Sequence, residues 1–333
     1  MKKRVRIAAE FDPLHQHHSI LIQGKASMLD TFDTNRLQHL QPDDISDSLE
    51  RGSVVFFPQS PVPIPSAEDL LLIRQELPEL LRLKNISYHP EADRVRGLDE
   101  ADPELATRVK RILVEVSDNI ADFLTINAPR LVENWTVGTC SFRPIEEQGR
   151  KLDAHASNEL VHIDAGAYGA TNGDRILRFF INVNPDQDRV WATKGNFPEL
   201  FQSHGEQAQL GYAHAGDDYM TKGPMDHART GLINILASGV PVLKVLDSSP
   251  YDRVMRKFHN YMKDTPAFQN ETQGHEEFRF PPFSAWMVFT DMVSHACLSG
   301  QHAFVHTSIV PLSNCRLPDM APMNILRQAA LSS

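Results

Sequence analysis

Two apolar stretches in the middle of the chain limit the fold most strongly. They are Leu160-Val161-His162-Ile163-Asp164-Ala165 and Asp174-Arg175-Ile176-Leu177-Arg178-Phe179-Phe180-Ile181-Asn182-Val183-Asn184-Pro185. Val161, Ile163 and most of the run Ile176 to Val183 are β-branched, aromatic or leucine, the residues that suit a pleated, half-buried surface. On a strand, residues i and i+2 face the same side, roughly 6.6 Å apart. The first stretch therefore aims His162 and Asp164 at one point. An imidazole and a carboxylate so placed are two members of the 2-His-1-carboxylate face that holds non-haem Fe(II) and leaves other positions open. The third member has to be a distal histidine. His295, in Phe289-Thr290-Asp291-Met292-Val293-Ser294-His295-Ala296, leads, with His302 and His306 as rivals.

The triplet alone is weak. Fifteen His and 43 acidic residues in 333 give about two His-x-acid triplets by chance, and the chain has four. His89-Pro90-Glu91 spans a proline, His204-Gly205-Glu206 contains a glycine, and His275-Glu276-Glu277 has polar flanks. Proline and glycine mark turns, so only His162-Ile163-Asp164 lies in a strand-like context.

A net charge of −10 argues against a nucleic-acid footprint, which would be basic. Cys140, Cys297 and Cys315 are too few and too scattered for a disulfide framework or a zinc ribbon. They read as reduced thiols in a cytosolic protein. The basic start, Met1-Lys2-Lys3-Arg4, leads into Glu10 and Asp12 with no signal-peptide apolar region. No run reaches the roughly 18 apolar residues of a membrane span.

Along the chain, residues 1–134 read as a mostly helical scaffold. His15, His17 and His18 are a solvated cluster. Asp43 to Glu50 is a short helix with an acidic first turn, and Val54 to Phe57 a strand. Pro58, Pro61, Pro63 and Pro65 stiffen a linker. Ser66 caps a helix running to Leu83. The spacing of Leu105, Val109, Ile112, Leu113, Val116, Ile120 and Phe123 predicts an amphipathic helix laid on a sheet.

Residues 135–333 read as the core, joined to the scaffold as one structural unit and interrupted by a helical insertion at about 199–275. Trp135 to Pro144 is a strand with Ser141 and Arg143 on one face. Residues 145–159 form a polar loop over the mouth of a site. Arg178, Phe180 and Asn182 share a strand face, and Arg175 points the other way. An arginine in such an apolar run needs an anion. A dicarboxylate or a buried acidic side chain would serve, because a carboxylate fits the guanidinium fork. Pro250 to Met262 is an amphipathic helix. His204, His214, His227, His259 and His275 are spare ligands that read as surface residues. Pro281-Pro282 splits two strands, and Ser299-Gly300-Gln301 reads as the turn of a hairpin that holds His295 near a sheet rim.

These residues carry a family likeness. The chain resembles the Kdo hydroxylases, Fe(II)/2-oxoglutarate dioxygenases acting on 3-deoxy-D-manno-oct-2-ulosonic acid (Kdo) of the lipopolysaccharide inner core. The likeness lies in Gly52 to Pro58, Lys84-Asn85-Ile86-Ser87, Ser141-Phe142-Arg143-Pro144, Val161 to Ala165 and Arg175 to Pro185. It continues in Tyr251-Asp252-Arg253-Val254-Met255, Phe289 to Ala296 and Ser299-Gly300-Gln301.

The resemblance implies an α+β, mainly β architecture: a double-stranded β-helix (jelly roll, cupin-like) flanked by N-terminal helices. It implies Fe(II) on His162, Asp164 and His295, with 2-oxoglutarate and O2 as co-substrates. Arg178, Asn182 and Thr307 become candidates for holding 2-oxoglutarate, with Arg178 on its distal carboxylate. Arg143, Ser141 and Arg175 become candidates for the substrate, a free or lipid-linked acidic sugar. Such a lipid would sit at the cytoplasmic face of the inner membrane, so membrane contact would be peripheral, although the chain shows no polybasic anchor. Two segments depart from the family: Lys151 to Glu159, and an insertion at residues 224–249. They leave open an oxygenase of another small molecule. A non-redox metal-binding cupin is the further alternative.

Overall fold

The computed structural model describes residues 27–77, 85–98, 102–166, 169–210 and 249–332. The His15, His17 and His18 cluster, His214, His227, the insertion at 224–249 except Ser249, and the end of the helix expected to reach Leu83 lie outside the described residues.

Eleven strands run β1 (Leu29–Thr31), β2 (Val54–Phe57), β3 (Ile86–His89), β4 (Arg94–Arg96), β5 (Thr136–Arg143), β6 (Arg175–Asn182), β7 (Arg189–Thr193), β8 (Glu276–Phe280), β9 (Ala285–Phe289), β10 (Ala296–Ser299) and β11 (Ala303–Val310). Eight form a large sheet, ordered β1-β2-β9-β6-β11-β5-β3-β4, and three a small one, β10-β7-β8. Among the described strands only the β1–β2 pair is parallel. The fold is the mainly β jelly roll with helices that the family likeness implies.

The register sorts the large sheet into two faces. Arg178 lies opposite Thr307 and Val288, and Phe180 opposite Val305 and Trp286. Ser141 and Arg143 follow on the same side, opposite Val305 and Ala303. Residues directly opposite across a ladder share a face, so this face gathers Arg178, Phe180, Trp286, Ser141 and Arg143. It looks toward the small sheet. The Trp191 ring of β7 lies edge-on to Phe180, centroids 4.8 Å apart, and Phe280 of β8 stacks on Trp286 at 3.9 Å.

The other face is covered by helix. Helices α1 (Thr34–Gln38), α2 (Asp44–Glu50) and α3 (Ala67–Leu71) precede the long α4 (Pro103–Asn127) and the short α5 (Pro129–Val132). Of the predicted stripe of α4, Val109, Ile112, Leu113, Val116 and Ile120 are buried, Leu105 and Phe123 are half-buried, and Leu124 joins the buried set. Phe123 of α4 meets Phe57 and Phe179 with centroids 5.6 and 6.0 Å apart. The segment before α5 also supplies β1 to β4, so it extends the large sheet as well as covering it. Later helices are α6 (Phe197–His204), α7 (Pro250–Asp264), α8 (Pro266–Asn270) and α9 (Pro322–Ser332). A capping box, with Ser249 and Asp252 bonding each other's backbone N–H, starts α7.

Two local expectations need correction. The hairpin around Gly300 does not form. Strand β10 joins β7 in the small sheet, and β11 lies between β6 and β5 in the large one. Gly300, at φ 123°, turns the chain from one sheet to the other. A Cβ there would meet Arg189 Cγ at 2.8 Å, so glycine is required twice over. The stretch Leu160 to Ala165 is not a full strand either. It is an extended ribbon with one isolated bridge, between His162 and His295.

Candidate metal centre

The ribbon is held on its inner edge by three main-chain bonds. His162 N–H donates to His295 O at 3.0 Å, His295 N–H returns the bond to His162 O at 2.8 Å, and Asp164 N–H donates to Thr290 O at 2.8 Å. The two histidines are thus a hydrogen-bonded antiparallel pair, side chains on one face. Their ring centroids are 4.7 Å apart.

Side-chain partners set the tautomers. His162 Nδ1 lies 2.7 Å from Leu160 O, and His295 Nδ1 lies 3.0 Å from Val293 O. A carbonyl only accepts, so each Nδ1 carries the proton and each Nε2 keeps a lone pair. This outer-edge bond is the arrangement typical of a ligating histidine. Ligand atoms of His162, Asp164 and His295 all fall within 4.8 Å of one another, and among the described residues no other trio of such side chains converges.

The electrostatics match a cation's requirements. Burial pushes the His162 pKa well below its ordinary value, and a charge on neighbouring His295 would push it further. Burial lowers His295 as well. Both rings are therefore neutral donors. Burial alone would raise Asp164, but the Arg178 guanidinium outweighs it and holds the carboxyl below the usual range. Asp164 Oδ2 touches Arg178 Nη2 at 2.9 Å, yet it is buried without a hydrogen bond of good geometry. Two neutral imidazoles, one ionised carboxylate and an acceptor oxygen left unbonded are a donor set that fits a divalent metal.

A cavity of about 220 Å³ opens beside the trio, lined by Arg143, Arg178 and Arg189 among the basic residues and by Phe180 and Trp191 among the aromatic ones. The Trp191 ring stacks on His295, centroids 5.2 Å apart. Glu147, 2% exposed, lies 3.5 Å from Arg189 and 3.8 Å from Arg143 and accepts from Asn158 Nδ2 at 3.1 Å. Burial would raise its pKa, but Arg143 and Arg189 lower it on balance. A hollow of about 310 Å³ near Lys194 and His204 is larger. It lacks a convergent ligand trio.

The sequence model of the 3-deoxy-D-manno-oct-2-ulosonic acid (Kdo) hydroxylase family matches residues 33–332. The chain belongs to the Kdo hydroxylase family. No curated protein matches it by sequence. Among solved structures it is similar to the apo form of the Kdo hydroxylase KdoO, a non-haem Fe(II), α-ketoglutarate-dependent dioxygenase. Identity is 26%, the TM-score 0.73, and the match covers 92% of this chain and 96% of that one. The same enzyme bound to α-ketoglutarate and Fe(III) matches with the same values. Its cobalt(II) form matches at TM-score 0.74 and 26% identity, over 92% of this chain and 97% of that one.

Within this Kdo hydroxylase, the structure brings together His162, Asp164, His295, Arg178 and Arg143 of the residues singled out from sequence. The rivals lie elsewhere. His306 faces the outer side against Trp135, and His302 stacks on Phe142. Four other candidates are outside the cavity lining. Ser141 Oγ donates to Val305 O at 3.3 Å. Asn182 is spent on a turn: its Nδ2 donates to Gln187 O and Phe280 O, and its Oδ1 accepts from Asn184 N–H. Thr307 is buried in β11. Arg175 is fully buried and donates through Nε to Asp291 at 2.7 Å, with its guanidinium over the Phe289 ring at 4.2 Å. Its anion is a side chain of the fold, because the strand alternation turns it away from the cavity.

Sequence reading passed over Arg189, Trp191, Glu147 and Asn158. The alternation Arg189-Val190-Trp191 was a usable signal, since i and i+2 share a face. Glu147 and Asn158 carried none, because both lie in a polar loop and their importance depends on a partner from β7.

Proposed function

We propose that His162, Asp164 and His295 hold Fe(II) in this Kdo hydroxylase, and that it hydroxylates a C–H bond of Kdo with 2-oxoglutarate and O2 as co-substrates. The observation that supports the reading is the convergence of two neutral imidazoles and an ionised carboxylate beside an arginine-lined cavity. When bound, Fe(II) with 2-oxoglutarate and O2 supplies a decarboxylation to succinate and CO2 coupled to insertion of one oxygen atom into the substrate.

The residues divide the remaining work. The carbonyls of Leu160 and Val293 fix both rings so that Nε2 is the donor. Asp164 brings the only negative charge of the trio. Arg178, whose Nε is buried without a partner, is assigned to the distal carboxylate of 2-oxoglutarate, where a planar fork binds bidentately. Arg143, on the same sheet face, is assigned to the carboxylate of the sugar acid. Phe180 and Trp191 form an apolar wall that excludes water from the reacting carbon. No helix of the described residues is long and apolar enough to cross a membrane.

The test has two arms. Anaerobic Fe(II) with 2-oxoglutarate should give a weak visible charge-transfer band that His162→Ala loses. A variant that keeps the band overturns the ligand assignment. Kdo-lipid A should stimulate succinate release above a panel of amino and keto acids. Equal stimulation by an unrelated acid overturns the substrate.

A further inference from the structure

The ribbon carrying His162 and Asp164 has a second edge, and no strand of the described residues occupies it. Two helical side chains do. Gln269 of α8 presents its carboxamide to both main-chain groups of Val161: Val161 N–H donates to Gln269 Oε1 at 3.0 Å, and Gln269 Nε2 donates back to Val161 O at 2.9 Å. The same Nε2 donates to Met262 O at 2.8 Å, tying the ribbon to the end of α7. Two residues on, His259 of α7 lies with Nδ1 2.7 Å from Ile163 O. Its ring meets His162 edge-on, centroids 5.0 Å apart.

The bonds alternate along the ribbon as those of a central strand do. His162 and Asp164 bond inward to His295 and Thr290, while Val161 and Ile163 bond outward to Gln269 and His259. A carboxamide offers one donor and one acceptor side by side, the pattern a neighbouring peptide unit would offer. The inner edge holds His162 through its bridge to His295 and Asp164 through its bond to Thr290 O, so the outward-facing main-chain groups of Val161 and Ile163 depend on the outer edge. Two ligands at i and i+2 stay on one side only while the segment between them is extended. The helix is itself firmly seated: Tyr251, Met255, Phe258 and Met262 are buried, and Asp252 accepts from Thr171 N–H at 2.7 Å.

We infer that Gln269 and His259 are positioning residues for the metal, acting as a substitute strand that holds the His162–Asp164 ribbon in register. The inference rests on the ligand reading above and deepens it. Removing the carboxamide leaves the buried amide and carbonyl of Val161 unpaired, so the ribbon must shift to find new partners. The two ligands then lose their common aim, and metal affinity falls.

The experiment is a Co(II) titration of the full chain, followed by visible d–d absorption, on wild type, Gln269→Met and His259→Phe. The melting temperature of each is measured in chelator. Gln269→Met keeps length and bulk while deleting both bonds to Val161 and the one to Met262 O. His259→Phe keeps the ring and deletes one. The expected result is Co(II) dissociation constants raised about tenfold or more for Gln269→Met, in the range that outer partners of metal ligands reach, and several-fold for His259→Phe. The d–d band should change shape in both. Either variant alone carries the test if the other does not fold. A merely structural role would lower the melting temperature and leave affinity and band unchanged. That outcome, with wild type binding Co(II), overturns the inference alone. Wild type that binds no Co(II) overturns the ligand reading as well.

Discussion

His162 and His295, far apart in the sequence, exchange main-chain hydrogen bonds at 3.0 and 2.8 Å, so their imidazoles stand side by side because their peptides are paired. The pairing needs no side chain from either residue. His295→Ala should therefore keep the bridge and the fold while deleting one donor. We expect Co(II) affinity to fall at least a hundredfold, and the melting temperature in chelator to stay within a few degrees of wild type. Absorption titration and calorimetry check the two halves. His306→Ala, on the outer sheet face, should leave Co(II) affinity unchanged.

That separation explains what could be read in advance. Alternation gave the shared aim of His162 and Asp164, and the three- and four-residue spacing of Val109 to Ile120 gave the buried stripe of α4. Both are local, repeating patterns that a one-dimensional reading captures. The crossing at Gly300 was not legible, because a glycine turn between two apolar runs looks the same whether the runs pair or part. Arg175 and Arg178 have the same composition around them, and strand parity alone sends one to Asp291 and the other to the cavity. Gln269 acts through Val161 and Glu147 joins Arg189 of β7 to Arg143, and no periodicity marks a residue that acts through a partner so distant in sequence.

Arg178 is the cavity arginine nearest the ligand carboxylate, 2.9 Å from Asp164 Oδ2. Lysine would keep the charge and lose the planar fork. Arg178→Lys should raise KM for 2-oxoglutarate roughly 10- to 100-fold, with kcat less affected. Initial-rate succinate assays at saturating Fe(II) measure the split. A normal KM would move the co-substrate assignment to Arg189 or Arg143.

Arg175 makes the opposite expectation. Its guanidinium is fully buried against Asp291, which also accepts from Ile176 N–H at 3.0 Å. Removing one member of a buried pair strands the other charge, at a cost of about 3–5 kcal/mol. Arg175→Met should lose that much in denaturant unfolding, while the KM values of the folded fraction stay near wild type. Adding Asp291→Leu should recover part of the loss. Recovery stays incomplete because the Ile176 amide then has no acceptor.

His306 sets an acid limit on stability. Its ring is buried, its Nε2 has no partner, and burial lowers its pKa to about 4, against an ordinary value near 6.5. Between those values the unfolded chain binds a proton that the folded chain refuses. Stability therefore falls as pH drops below about 6.5, and the loss is complete once pH passes below about 4. At 1.36 kcal/mol per pKa unit, the full loss from this residue is about 3 kcal/mol. The metal site adds its own acid dependence, since His162 and His295 are also held neutral by burial. The contribution of His306 is isolated by comparing wild type with His306→Phe, both in chelator. Phenylalanine keeps a ring against Trp135 and cannot take a proton. Urea unfolding from pH 7.5 to 4 should give a shallower acid limb for the variant, the two curves approaching or crossing by about 3 kcal/mol over that window. Parallel limbs would mean that His306 is protonated without cost, and that the acid sensitivity belongs to the other buried histidines.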